Sequence, residues 1–438
     1  MTGPATTKLM AYMDHVEPWD YDAGELEPVW VEAINERLVE CRGSVKVLDR
    51  ILEATGIDTV DSLKQVVPLL FPHSVYKSYP ETFVRKGAWD RMSSWVDTLA
   101  KYRVEGIDHE GIEDVDGWMA RLHEAGHFVF ATSGTTGKHS YLDMSALDLE
   151  TIALSQFPRG VPADQSWAVF VCGPRTAPSK AAMYFRAFAE RFGHPDKTYF
   201  MSHEPMRMAD LTKAAELRKA MADGTATPGA IAAFERETRE KQARADTDEL
   251  VMAKALLELR TERVMLVGLL PAMFRLAKQV KALGFPNGGL HPDSYISVGG
   301  GSKGTDIPAD WRQQLEELFG VEVQLRYGFQ ETNGGARLLN DGLYHFPAWK
   351  IPLVLDDSGE HLLEPRSGVV TGRLGAFDVS VDGRWGGVIT GDQVVAHYDA
   401  APGFGVESKI ERYSAMQGGD DKLSCSGTFD AFVRGFVQ

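Results

Sequence analysis

Apolar positions change their rhythm along this chain. Up to about residue 110 they recur mainly at helical spacing, clearest over 26–53, and Asp61-Ser62-Leu63 resembles a helix start. Pro68-Leu69-Leu70-Phe71-Pro72 breaks that pattern, and His73-Ser74-Val75-Tyr76-Lys77 reads as an extended connector. From His127 onward, short unbroken apolar runs alternate with helical stretches, which predicts an α/β fold. The strand-like runs are 127–130, 168–172 with a turn at Gly173-Pro174, 264–270, 321–325, 349–356 and 369–374. Gly372 inside the last run marks a bulge. Helices are predicted over 180–192 and 307–319, and another begins at Pro271. The block 203–262 is charged, Ala-rich and helical, interrupted at Pro228-Gly229, and reads as a solvated helical face. No internal repeat or low-complexity tract stands out.

Composition narrows the function. The chain has 438 residues, enough for two to three structural units, and 44% of them are hydrophobic, ample for a large core. With 62 acidic against 46 basic residues the net charge is -16, which argues against nucleic acid or an anionic membrane as partner. An anionic ligand is still compatible, because backbone N–H groups and one lysine hold phosphates in acidic proteins. Cys41, Cys172 and Cys425 lie far apart, so neither a disulfide framework nor a zinc site is indicated. Residues 1–8 lack the apolar centre of a secretory leader, and no apolar run reaches membrane-spanning length. A cytoplasmic location is expected.

The candidate chemistry is concentrated in four strings. Ala131-Thr132-Ser133-Gly134-Thr135-Thr136-Gly137-Lys138 follows the 127–130 run. Its hydroxyls and glycine N–H groups form a donor-rich loop suited to a polyphosphate, and Lys138 adds a compact charge. A Walker A loop would place Gly where Thr132 stands. Tyr295-Ile296-Ser297-Val298-Gly299-Gly300-Gly301 is a strand running into glycines that admit a ligand close to the backbone. Arg326-Tyr327-Gly328-Phe329-Gln330-Glu331-Thr332 and Gly387-Val388-Ile389-Thr390-Gly391-Asp392 complete the set.

Taken in order, these strings resemble the motifs of the acyl-adenylate-forming (ANL) superfamily of acyl-CoA ligases, adenylation domains and luciferases. The resemblance implies an α/β fold: an ANL-type large N-terminal domain of mixed sheets flanked by helices, preceded by a helical region and followed by a vestigial C-terminal extension. The implied division is 1–110, a core over 111–412, and a hinge-like segment over 413–438. It implies ATP held by Thr132, Ser133, Gly134, Thr135, Thr136, Gly137, Gly299, Gly300, Gly301, Tyr327, Gly328 and Asp392, with Lys138 and Gln330 at the phosphates. Glu331 is the implied magnesium ligand. Gln330 departs from the usual Thr or Ser.

Near the end, Gly418-Gly419-Asp420-Asp421-Lys422-Leu423-Ser424-Cys425 resembles the family hinge, with Gly418 at the usual Arg position and Ser424 at the usual Lys position. Arg412 is the candidate replacement for the missing guanidinium. The resemblance leads to the expectation of either a truncated product or a branch that works without the full mobile lid of most relatives, and Gly299-Gly300-Gly301-Ser302-Lys303 is similar to a segment of one such branch, the acyl-protein synthetases of bacterial luminescence. The chain is placed closest to that branch and the phenylacetate-CoA ligase-like one, and the acyl-protein synthetases imply an acyl group carried on Cys425. Lone cysteines are more often buried hydrophobes.

The implied activity is ATP-dependent conversion of a carboxylic acid to an acyl-adenylate, then transfer to a thiol: Cys425, coenzyme A or a carrier protein. An acyl-accepting protein or a reductase are the implied partners. An amine acceptor, a catalytically silent nucleotide- or acyl-binding homologue, and a lid supplied by another chain are the alternatives. Phe329 and the Met/Phe-rich 183–188 stretch point to an apolar acyl or aryl group.

Overall fold

Residues 3–132, 138–301, 305–364 and 366–416 are described by the computed structural model. They form two compact units, Gly160–Tyr327 and the remainder.

The Gly160–Tyr327 unit is a five-stranded parallel sheet. Its order is Val323–Tyr327, Tyr295–Gly299, Val264–Leu269, Trp167–Pro174, Gly193–Ser202. Val264–Leu269 and most of Trp167–Pro174 are continuous apolar runs because a parallel sheet is covered on both faces. One face packs on Met252, Met273, Leu276, Val280, Leu315 and Phe319. Gly268 permits a close strand approach: a Cβ there would sit 2.4 Å from that of Cys172.

The expected helix over 180–192 is found as Lys180–Phe192, with the Ser179 side chain capping Ala182 N–H. The 307–319 helix begins later, at Trp311–Phe319, after Pro308. The charged block forms two helices, Met208–Ala222 and Pro228–Leu259, with Pro228 in the first turn. Only Met208, Met252, Ala253 and Leu256 are buried in them, in keeping with a solvated face.

The other unit begins with the expected helices, but the 26–53 pattern divides into Ala23–Cys41 and Lys46–Thr55. Gly43, at φ 77°, makes the turn between them. The connector is not extended throughout: Phe71–Pro72 is a strand, and His73–Lys77 coils into a 3₁₀ turn. The sheet of this unit is antiparallel in the order Lys350–Leu355, Val369–Asp378, Gly387–His397, Gly405–Glu407, Leu343–His345, Ala336–Leu338. The expected bulge is a register shift between Arg373 and Gly375, and the strand continues past it to Asp378.

Gly387–His397 is the hub. Its second edge is met in turn by Phe71–Pro72 at Val388 and Ile389, by Glu411–Arg412 at Asp392 and Gln393, and by Gly405–Glu407 at Ala396 and His397. Trp30, Trp95, Trp118, Trp349 and Trp385 are fully buried in this unit. The 127–130 run contributes Phe130–Ala131, paired with Tyr141–Leu142 in a short hairpin.

Candidate functional site

Asp392 sits mid-strand on the hub. It is 5% exposed, and its Oδ1 lies 3.2 Å from Nε of Arg412, whose side chain is 62% exposed. The turn of its backbone is set by Thr390, whose hydroxyl donates to Leu374 O at 2.7 Å and accepts from Asp392 N–H at 3.2 Å. Arg373 donates to Thr390 O at 3.0 Å, and its guanidinium stacks 4.0 Å from the Tyr413 ring centroid. Burial, together with a bond to Asp357, pushes the Tyr413 phenol up to about 12, so it stays protonated and donates at 2.8 Å.

The segment 328–335 is fixed from behind. Asp378 Oδ2 accepts from the N–H groups of Asn333 and Gly334 at 2.9 and 3.1 Å. Asn333 Nδ2 donates to Asp148 Oδ1 at 2.7 Å, and Asp148 also accepts from the N–H groups of Ser145, Asp382 and Gly383 at 2.8–2.9 Å. Arg384 donates to Glu331 O at 2.9 Å and to Asp143 O at 3.0 Å. Lys350 is fully buried, donates to Gly334 O at 2.9 Å, and lies 3.9 Å from the Phe329 ring centroid. Burial pulls its ammonium down to about 8, with the charges of Asp378 and Glu331 opposing.

These contacts hold the backbone of the motif and leave the Glu331 side chain partly exposed. One carboxylate of this kind suits magnesium, which takes few protein ligands and shares phosphate oxygens. No cluster of three or more metal-ligating side chains occurs among the described residues. Gln330 has its Oε1 buried without a hydrogen-bond partner among them.

Lys138 follows the hairpin. Its Nζ donates to Tyr79 O and lies 4.6 Å from the Tyr79 ring centroid. The base of the loop is closed by Thr132, whose N–H donates to Ser140 O and whose hydroxyl accepts from Ser140 N–H, both at 3.0 Å. Ser133, Gly134, Thr135, Thr136, Gly137 and Cys425 lie outside the described residues. The segment 71–79 is common ground for the rest: it pairs with the hub strand, holds Lys138 through Tyr79, and presents Tyr76 to Arg384 and Glu331.

In the Gly160–Tyr327 unit, Gly299 ends its strand opposite Arg326, one residue before Tyr327. Gly300 follows at φ 75°, a conformation that favours glycine. Cys172 and Cys41 are fully buried, and burial pushes both thiols up. Neither is a nucleophile in this fold.

Sequence reasoning missed Asp148, Asp378, Lys350, Arg384 and Tyr79. Two left a trace: Ser145-x-x-Asp148 is a capping box, which the structure forms, and Lys350 is a lone charge in an apolar run.

No protein-family model matches the sequence, and no curated sequence is detectably similar. Among solved structures, the chain is similar to 2-hydroxyisobutyryl-CoA ligase in the postadenylation state with R3-HIB-AMP. The TM-score is 0.55 at 10% identity, over 90% of this chain and 69% of that one. The same ligase with 2-HIB-AMP and CoA in the thioesterification state gives 0.53 at 12% identity, over 90% and 70%. Its open conformation gives 0.52 at 13%, over 91% and 72%. The chain therefore has the fold of an acyl-adenylate-forming ligase's large N-terminal domain, a mixed α/β architecture flanked by helices. Its structural neighbours are acyl-CoA ligases.

Proposed function

We propose that the protein activates a carboxylic acid with ATP and passes the acyl group to a thiol. The observation that carries this is the arrangement around 71–79. Lys138, Glu331 and Asp392 belong to one compact unit, and this single connector ties together the segments that bear them.

A carboxylate resists nucleophiles because of its charge. An oxygen of the acid attacks the α-phosphorus of ATP, the bond to the β-phosphate oxygen breaks, and pyrophosphate leaves. Charge grows on the phosphates, so fixed donors and cations accelerate the step. The 132–138 loop supplies hydroxyls, N–H groups and the Lys138 ammonium. Asp392 accepts the ribose hydroxyls, with Arg412 beside it. Glu331 would hold magnesium, which would supply positive charge to the phosphates. A thiolate then attacks the acyl carbon and AMP departs. The acceptor is coenzyme A, a carrier-protein thiol or Cys425; burial excludes Cys41 and Cys172.

Acid-dependent exchange of labelled pyrophosphate into ATP tests the first step. Exchange with at least one acid is expected. Nucleotide binding without exchange across a broad acid panel would favour a silent homologue, for which the unpartnered Gln330 Oε1 is the structural motive. Intact-mass measurement after reaction, with and without coenzyme A, identifies the acceptor.

A further inference from the structure

Lys350 is a buried ammonium that grips one segment at two places. It opens the strand Lys350–Leu355 directly across the ladder from Asp378, so both side chains rise from the same face of the sheet. Both meet 328–335, the connection that carries Glu331. The neck of this connection is narrow: a Cβ on Gly328 would sit 3.6 Å from Gly335 Cα. Thr332, Asn333 and Gly334 are buried, whereas Glu331 is partly exposed. Asp378 holds the part after Glu331, through the N–H groups of Asn333 and Gly334. Lys350 holds both sides. Its Nζ donates to Gly334 O at 2.9 Å, three residues after Glu331. It also lies 3.9 Å from the ring centroid of Phe329, two residues before Glu331. A second ring, that of Phe346, stands 5.3 Å away.

Such a group is costly where it stands. An ammonium offers three N–H donors, and here one backbone carbonyl and two ring faces receive them. Both Asp378 oxygens are already taken, Oδ2 by Asn333 and Gly334 and Oδ1 by the N–H and hydroxyl of Ser380. A methionine of similar reach would fill the space with no charge to desolvate. Stability alone therefore does not account for a lysine. What the ammonium does supply is a tie between Phe329 and Gly334, and a positive charge felt by Glu331 as well as Asp378.

We propose that Lys350 is a positioning residue: by tying Phe329 to Gly334 it fixes the turn that presents the Glu331 carboxylate to magnesium and the triphosphate. This rests on the adenylation proposed above.

The test uses the full chain at pH 7 with two readouts, acid-dependent pyrophosphate exchange and calorimetric ATP binding at varied magnesium. In Lys350→Met the magnesium concentration that gives half of the gain in ATP affinity is expected to rise about 10- to 100-fold, the range for losing a group that orients a metal ligand. In exchange at fixed magnesium, kcat/KM for ATP falls by a similar factor. The thermal midpoint stays at or above the wild-type value, which loss of a merely structural lysine would lower. Glu331→Gln weakens the same magnesium response, and Lys350→Met adds no further loss in that background. Lys350→Gln, which keeps a donor and loses the charge, replaces Lys350→Met if that variant does not fold. An unmoved magnesium response, the same loss on top of Glu331→Gln, or a thermal midpoint that falls in step with activity overturns the inference and leaves adenylation standing. If no acid supports exchange, adenylation falls and ATP binding decides the rest. A magnesium response shifted by Lys350→Met then keeps the positioning role, and one that is unshifted or absent in the wild type removes it too.

Discussion

Asp392 and Arg412 face each other across a two-residue ladder, with Nε 3.2 Å from Oδ1. The carboxylate is buried and the guanidinium is mostly in water, so the two ends of this pair are not energetically equivalent. Asp392→Asn is expected to raise the KM for ATP about 10- to 100-fold, the effect of losing charge-assisted bonds to the ribose. Arg412→Ala should cost less than about fivefold, because an exposed ion pair contributes about 1 kcal/mol or less. Exchange kinetics at varied ATP measure both. An Arg412→Ala effect as large as that of Asp392→Asn would mean that Arg412 touches the nucleotide itself.

Asp148 accepts five hydrogen bonds with no exposure to water. Asp148→Ala leaves those donors and the nearby Arg384 uncompensated. A loss of about 3–5 kcal/mol in unfolding free energy is expected, read from denaturant midpoints. A loss under about 1 kcal/mol would mean that water replaces the carboxylate without cost.

Lys350 gives the protein an alkaline signature. Its ammonium is pulled from 10.5 to about 8 in the fold by burial. Between those values the unfolded chain binds more protons, so stability rises with pH through that window and the burial cost is carried in full below it. The contribution is up to about 1.4 kcal/mol per pH unit. Denaturation of the wild type and Lys350→Met at pH 7, 8, 9 and 10 should give curves that converge or cross as pH rises. Parallel curves would show that Lys350 titrates normally.

Two glycines of the parallel sheet should respond oppositely to a methyl group. Gly268→Ala drives a Cβ into Cys172 and should destabilise by about 1–3 kcal/mol. Gly299→Ala meets no atom of the described residues within 4 Å and should leave the thermal midpoint within about 2 °C of the wild type. A cold-labile or poorly folded Gly299→Ala protein would show that the space beside Arg326 is filled in solution.

How much of this was legible depended on range. The helix 180–192 was found with the bounds that its cap and apolar spacing indicate, and the bulge near Gly372 was marked by the glycine itself. Ala336–Leu338, Leu343–His345 and Gly405–Glu407 went unseen, because three-residue strands carry almost no alternation. The 73–77 connector was read as extended and is a 3₁₀ turn, since the surrounding breakers do not specify which irregular form follows.

The sequence by itself determined the class of architecture and the candidate strings, because periodicity, glycines and clustered hydroxyls act over a few neighbouring residues. Only the tertiary structure decided that Asp148 and Asp378 hold the segment carrying Glu331, and that Arg326 has hydroxyls for company. Those contacts join residues remote along the chain, and burial and hydrogen-bond partners between such residues exist only after the chain has folded.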